Sequence, residues 1–224
     1  MGTPVKRTYD NSRRARAARQ TRRAVIEAAR ELFLSKGYGG TALTEVSAKA
    51  GVSVQTVYAQ FGSKRALLKD VLDVAIVGDD EPVPLAGRPE VAAMRAEPDP
   101  ERRCRMHAAL VTTVAGRVEP VARVMRSAAA VDPEVDEQLQ RAHAGRLDGM
   151  REMAEMFHAR GELAPGLTVE GAAQRVAVLI DPELYRRTVV EHGWTPAEYE
   201  HWLGDLIIAS LLPRRGAGRS AARR

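Results

Sequence analysis

Residues 41–68 read TALTEVSAKAGVSVQTVYAQFGSKRALL, and this stretch constrains the fold more than any other. Two short runs of helical periodicity, Leu43–Ala50 and about Val54–Phe61, are separated by a turn around Gly51. Thr44, or Thr41 just before it, can cap the first run, and Ser53 can cap the second. Val46, Ala50, Val52, Val57 and Phe61 can form a small core beneath Leu32, Phe33 and Leu67. The plan is a helix-turn-helix. Gln55, Thr56, Tyr58 and Gln60 cannot all face that core. A Gln amide can pair bidentately with adenine, and Thr offers a hydroxyl and a methyl to a base edge.

The rest of the chain reads as all-α. Val25, Ile26, Ala29, Leu32 and Phe33 form one face of a helix over Arg19–Lys36, closed by Gly37. Ser63 can cap a helix carrying Leu67, Leu68, Val71, Leu72 and Ala75. Residues 78–100 hold five prolines and are read as loop, with a short helical piece at Glu90–Ala96. Beyond it, proline marks helix starts at Asp99-Pro100, Glu119-Pro120, Asp132-Pro133, Asp181-Pro182 and Thr195-Pro196. The predicted helices are 100–117, 120–130, 133–160, 168–180, 182–192 and 196–212.

The net charge of +5 is unevenly distributed. Residues 1–70 carry fourteen basic and five acidic side chains, the last twelve residues carry five arginines and no acid, and residues 71–212 carry −9. Basic segments of this kind bind polyanions, nucleic acid first. One cysteine excludes a disulfide framework and a thiolate-rich zinc site. No apolar run approaches membrane-spanning length, and the Arg-rich start is not a secretory signal. The chain is expected to be cytoplasmic, without a metal, a cofactor or a membrane partner. His107, His143 and His158 are isolated, and no metalloprotease, nucleophile-elbow or phosphate-loop motif occurs, so no enzyme is expected.

Several ordered features over Arg19–Val71 resemble the TetR family of bacterial transcriptional repressors. They are Ala29-Arg30-Glu31-Leu32-Phe33, Gly37-Tyr38, Ala50-Gly51-Val52-Ser53, Thr56-Val57-Tyr58, Phe61 and Ser63-Lys64-Arg65-Ala66-Leu67-Leu68. The resemblance implies that Thr41, Thr44 and Lys64 meet phosphates. It implies that Ser53, Val54, Gln55 and Thr56 begin the recognition helix, and that Tyr58 and Gln60 lie at its phosphate- and base-facing positions. Ser47, Gln55 and Gln60 depart from the family's usual Ala, small residue and His, which bears on the operator sequence. Arg13, Arg14, Arg16 and Arg19 form an arm that can add minor-groove or phosphate contacts.

The resemblance divides the chain into a disordered basic arm (1–18), the DNA-binding domain (19–70), a helical effector-binding and dimerisation domain (71–212) and a disordered basic tail (213–224). Family members dimerise through two late helices. The corresponding stripes hold Ala172, Ala173, Val176, Leu179 and Ile180, and Tyr199, Trp202, Leu203, Leu206 and Ile207, with Ala173, Val176, Ile180, Trp202 and Leu206 as candidate interface residues. Met106, His107, Met125, Arg126, Met150, Met153 and Phe157 are candidates for a largely apolar effector pocket. The expected partners are a palindromic double-stranded operator, a second copy and a small-molecule effector; the expected function is a repressor that the effector releases. Two alternatives remain open: a constitutive architectural DNA-binding protein, and a redox sensor using Cys104 beside Arg102, Arg103 and Arg105.

Overall fold

The computed structural model describes residues 6–213, with side chains from Arg13 onward. Among the described residues there are α-helices and no strand: α1 (Lys6–Lys36), α2 (Leu43–Ala50), α3 (Val54–Phe61), α4 (Lys64–Val77), α5 (Pro89–Ala96), α6 (Pro100–Ala129), α7 (Pro133–Ala159), α8 (Val169–Leu179), α9 (Pro182–Tyr185) and α10 (Pro196–Leu211). A 3₁₀ turn at Leu85–Gly87 precedes α5, and a π-helical turn, Arg186–Glu191, joins α9 to α10. No helix is long and apolar enough to cross a membrane among the described residues.

Two compact units result. One combines the described residues up to Pro82 with Pro120–Glu137; the other holds Val83–Glu119 and the described residues from Gln138 on. The first unit therefore reaches past residue 70 and also takes in the end of α6 and the start of α7. Its buried apolar residues include Val25, Ala29, Phe33, Val46, Val57, Phe61, Leu67 and Leu68. Leu32, Ala50 and Val52 sit at the margin, half-buried.

The helix starts follow from local chemistry. Ser53 accepts from the Thr56 amide and Ser63 from the Ala66 amide, both at 3.1 Å. Asp99, Asp132, Asp181 and Thr195 cap the proline-led helices α6, α7, α9 and α10. Three expectations change. Neither Thr41 nor Thr44 caps α2: the cap position is Ala42, whose amide is taken by the Glu45 carboxylate at 3.2 Å. Pro120 starts no helix but lies inside α6. An interior proline loses a hydrogen bond and costs about 3 kcal/mol, yet Val118, Val121 and Ala122 on either side are buried and hold the helix through it. The third is the arm, where α1 continues as helix from Lys6 although residues 1–18 were expected to be disordered. No Gly or Pro interrupts Lys6–Lys36, and Ala and Arg favour helix there. Residues 214–224 of the basic tail lie outside the described residues.

The second unit packs Cys104, Ala108, Val111 and Ala115 of α6 against Met153, Ala154 and Phe157 of α7, Ala172, Ala173 and Val176 of α8, and Tyr199, Leu203, Ile207 and Leu211 of α10. Gly204 permits a close crossing, since a Cβ there would meet Ala108 at 3.7 Å and Arg105 at 2.9 Å. The one buried arginine named in this core, Arg103, is fully provided for. It pairs with Glu162, donates to the Glu97 carbonyl and lies 4.8 Å above the Phe157 ring. His107 is its opposite: buried, with no partner for either ring nitrogen among the described residues.

Burial holds the His107 imidazole neutral and lowers its pKa to about 4, against 6.5 when unfolded. Its contribution is present above pH 6.5 and is lost as pH falls towards 4. The urea midpoint should therefore drop over that window by on the order of 3 kcal/mol of stability, and His107→Leu should remove that part of the pH dependence.

Candidate nucleic-acid interface

Helix α3 is fixed by its two ends and one buried edge. Ser53 holds the first turn, and its hydroxyl is 2.9 Å from that of Thr56. Val57 and Phe61 are buried, four residues apart on the inner face. Gly62 ends the helix at φ 73°, a conformation that glycine takes without strain. What remains outside is the set read as base- or phosphate-facing: Gln55, Tyr58 and Gln60 are exposed, and Val54 and Thr56 are half-buried at the rim. Ser47 is buried on α2, its hydroxyl returned to the Thr44 carbonyl at 2.9 Å. Its small size fits the contact between the two helices.

Thr44 is exposed in the first turn of α2. Ala42 offers no side-chain acceptor to the leading amides, and the Glu45 carboxylate takes only the Ala42 amide. The amides of Leu43 and Thr44 stay open there, beside the exposed Thr44 hydroxyl.

One expected phosphate contact changes, and another residue proves to be shared with the protein. Thr41 is only 2 % exposed, and its hydroxyl donates to the Gly37 carbonyl at 2.8 Å. It closes the α1–α2 turn from within. Lys64 donates to the Tyr38 carbonyl at 2.9 Å and the Thr41 carbonyl at 3.1 Å, and its ammonium lies 4.3 Å from the Tyr38 ring centroid. Two of its three N–H groups hold the turn, leaving one for an anion. An open cleft lined by Tyr38, Ala42, Tyr58, Ser63, Lys64 and Arg65 adjoins this lysine.

Sequence reasoning missed Tyr38. Its hydroxyl donates to Asp132 at 3.3 Å, and Arg65 reaches Asp132 at 3.6 Å and Glu134 at 2.9 Å. Burial, with Asp132 beside it, pushes the Tyr38 phenol up to about 12. The α6–α7 turn is thereby tied to α4 inside the first unit. The only local signal was the Asp132-Pro133 cap, which gives no hint of a partner 94 residues away.

The arm arginines Arg13, Arg14, Arg16 and Arg19 are exposed along α1. Further along, Arg22 pairs with Asp70 at 2.9 Å and lies 5.1 Å from the Phe61 ring, clamping α1 to α3 and α4.

The candidate pocket residues do not come together as one set. Met125 and Arg126 belong to the first unit; Met106, His107, Met150, Met153 and Phe157 belong to the second. Met153 and Phe157 are core, and Met150 packs against them. Of the interface candidates, Ala173 and Val176 are fully buried in the chain's own core, because α8 and α10 pack on each other there. Ile180, Trp202 and Leu206 are half-exposed. Cys104 is buried, and that burial raises its thiol to about 12 despite the neighbouring arginines. A thiol so disfavoured as thiolate lacks the reactivity of a redox sensor.

Residues 25–71 match the family model for bacterial regulatory proteins of the tetR family. No curated protein matches the chain. The fold is that of solved TetR-family regulators. A putative TetR-family transcriptional regulator from Mesorhizobium loti is 21% identical, with 87% of this chain and 98% of that chain covered and a TM-score of 0.66. NalD of Pseudomonas aeruginosa, the secondary repressor of the MexAB-OprM multidrug efflux pump, is 22% identical, with 88% and 97% covered and a TM-score of 0.65. FadR of Bacillus subtilis, solved with stearoyl-CoA, is 17% identical, with 84% and 97% covered and a TM-score of 0.67.

Replacing Lys64 by Met keeps the aliphatic stem and removes the ammonium. Two turn carbonyls then lose a charged donor. The first unit should lose roughly 1–3 kcal/mol, seen as a lower urea midpoint at unchanged slope.

Proposed function

We propose that this chain, whose residues 25–71 are a tetR-family DNA-binding domain and whose fold is that of TetR-family regulators, is a homodimeric transcriptional repressor that a small molecule releases from a palindromic operator. The observation that carries this reading is the division of α3. Val57 and Phe61 anchor it, while Gln55, Tyr58 and Gln60 stand clear of the protein. Gln55 and Gln60 present amides suited to major-groove edges, and Tyr58 and Thr44 present hydroxyls to the flanking phosphates. Ser53 and Thr56 position the start of the helix.

A two-fold dimer would set two α3 helices about one helical turn of DNA apart, roughly 34 Å. With Ala173 and Val176 buried, the dimer face falls on the outer surface of α8 and α10. It comprises Val178, which is 72 % exposed, with Ile180, Trp202 and Leu206. NalD is a repressor, and FadR was solved with a ligand; both properties are proposed for this chain. The effector would act along α6 and α7, whose shared turn carries Asp132 to Tyr38 and Arg65. It can do so only by binding the two states of the protein unequally.

Selection of bound DNA from a random pool tests the reading. The expected product is a palindrome with half-sites one turn apart. Truncating Gln55 to Ala should then relax the preference at one base position of each half-site, by roughly 1–3 kcal/mol. Recovery of DNA with no shared sequence would instead favour the constitutive architectural reading. Metabolite extract added to the selection should lower recovery if an effector exists.

The exposed arginines of α1 are proposed to add phosphate contacts. Removing residues 1–15 should weaken operator binding and flatten its dependence on salt, because fewer counterions are released. Equal slopes with and without the segment would remove the arm from the interface.

A further inference from the structure

The second unit holds a buried acid without a counter-charge. Glu119, near the middle of α6, is 5 % exposed. Among the described residues no basic side chain pairs with it and no donor bonds to it. It shares a helix face with Ala108, Thr112 and Ala115, which line the core. The Thr112 hydroxyl is already committed to the Ala108 carbonyl at 2.8 Å, so it does not serve Glu119.

One tyrosine stands against this face and a second packs on its ring. Tyr185 ends α9, and its hydroxyl lies 3.3 Å from where a Gly116 side chain would begin. Gly116 is exposed, so the hydroxyl is reachable from that side. The Tyr185 phenol is raised by burial and then by the Glu119 charge, which places the two groups within electrostatic reach. Tyr199 of α10 meets the Tyr185 ring edge-on, with centroids 5.1 Å apart. Tyr199 is fully buried, and its hydroxyl has no partner. The π-helical turn that follows Tyr185 sets Tyr185 and Thr188 inward together; such turns recur where backbone register is adjusted for a site.

A buried carboxylate, two under-used phenols and two aromatic rings complement one ligand chemistry. A phosphate or carboxylate would be repelled by Glu119. A neutral apolar molecule would leave Glu119 as unpaired as before. A compact organic cation would supply the missing charge, place its N–H groups on the carboxylate and phenol oxygens, and lie against ring faces that attract positive charge. We propose that Glu119, Tyr185 and Tyr199 form the polar end of an effector site selective for a small amine cation. The assignment rests on reading the second unit as ligand-binding and is independent of DNA recognition.

The test is direct binding to the intact protein without DNA, read by tryptophan fluorescence, since Trp202 lies 6.1 Å from the Tyr199 ring. Three probes share one body and differ in charge: phenethylammonium, phenethyl alcohol and phenylacetate. The ammonium should saturate the signal and bind at least about tenfold more tightly than the other two. Glu119→Gln should abolish that preference while the alcohol binds as before. The substitution conserves volume, so the melting temperature should change little. No saturable binding of the ammonium at millimolar concentration overturns the proposal, as does equal affinity for ammonium and alcohol. A preference that survives Glu119→Gln does the same. The wild-type probe series decides without any variant. Cation selectivity in a protein that fails to bind DNA would retire the regulator reading and leave this site standing; operator binding without selectivity would do the reverse.

Discussion

Tyr38 is the residue on which the candidate interface depends. Its ring lies beneath the Lys64 ammonium, its carbonyl accepts from that ammonium, and its hydroxyl reaches Asp132. Phe33 packs at 6.0 Å between ring centroids, joining the tyrosine to the core of α1. One side chain thus fixes the turn after α1, the start of α4 and the turn between α6 and α7. Helix α3 is short, and a helix of its length has little stability of its own. Its orientation is inherited from α2 and α4, and theirs is set in large part by these contacts.

Much of this was legible in the sequence where the physics is local. Ser53, Ser63, Asp99 and Thr195 announce helix starts because a capping oxygen meets an amide two or three residues away. Val57 and Phe61 were readable as core, and Gln55 and Gln60 as surface, from helical periodicity alone. The misreadings share a different cause, since each was decided by a partner distant in sequence or by competition for a polar group. Thr41 looked like a cap or a phosphate contact, but its hydroxyl found the Gly37 carbonyl first. Lys64 also serves two carbonyls of the preceding turn, a second role that no local pattern announces. Ala173 and Val176 had the stripe of an interface, yet a stripe does not say which surface will cover it. Pro120 carried a helix-start signal that burial on both sides overrode.

The second unit separates polar groups that the fold satisfies from those it does not. Arg103 is as buried as any core leucine, yet it is bonded to Glu162 and the Glu97 carbonyl and stacked on Phe157. His107 and the Tyr199 hydroxyl are equally buried and find no hydrogen-bond partner among the described residues. An unsatisfied buried polar group costs roughly 1–3 kcal/mol, and packing alone gives no reason to keep it. Leucine at position 107 or phenylalanine at position 199 would fill similar space without the penalty. Cys104 shows the contrast, since a thiol behaves as a small hydrophobe and loses little by burial.

Helix α1 is 31 residues long, about 46 Å at the rise of an α-helix. Its buried residues begin only at Val25, and everything from Arg13 to Gln20 is exposed. That leading stretch is solvent-exposed and carries arginines at spacings where like charges face one another across a turn. Its helicity is therefore a matter of helix–coil balance, sensitive to temperature and to whatever neutralises the arginines. A polyanion alongside would relieve that repulsion and add to the stability of a helix that is already formed.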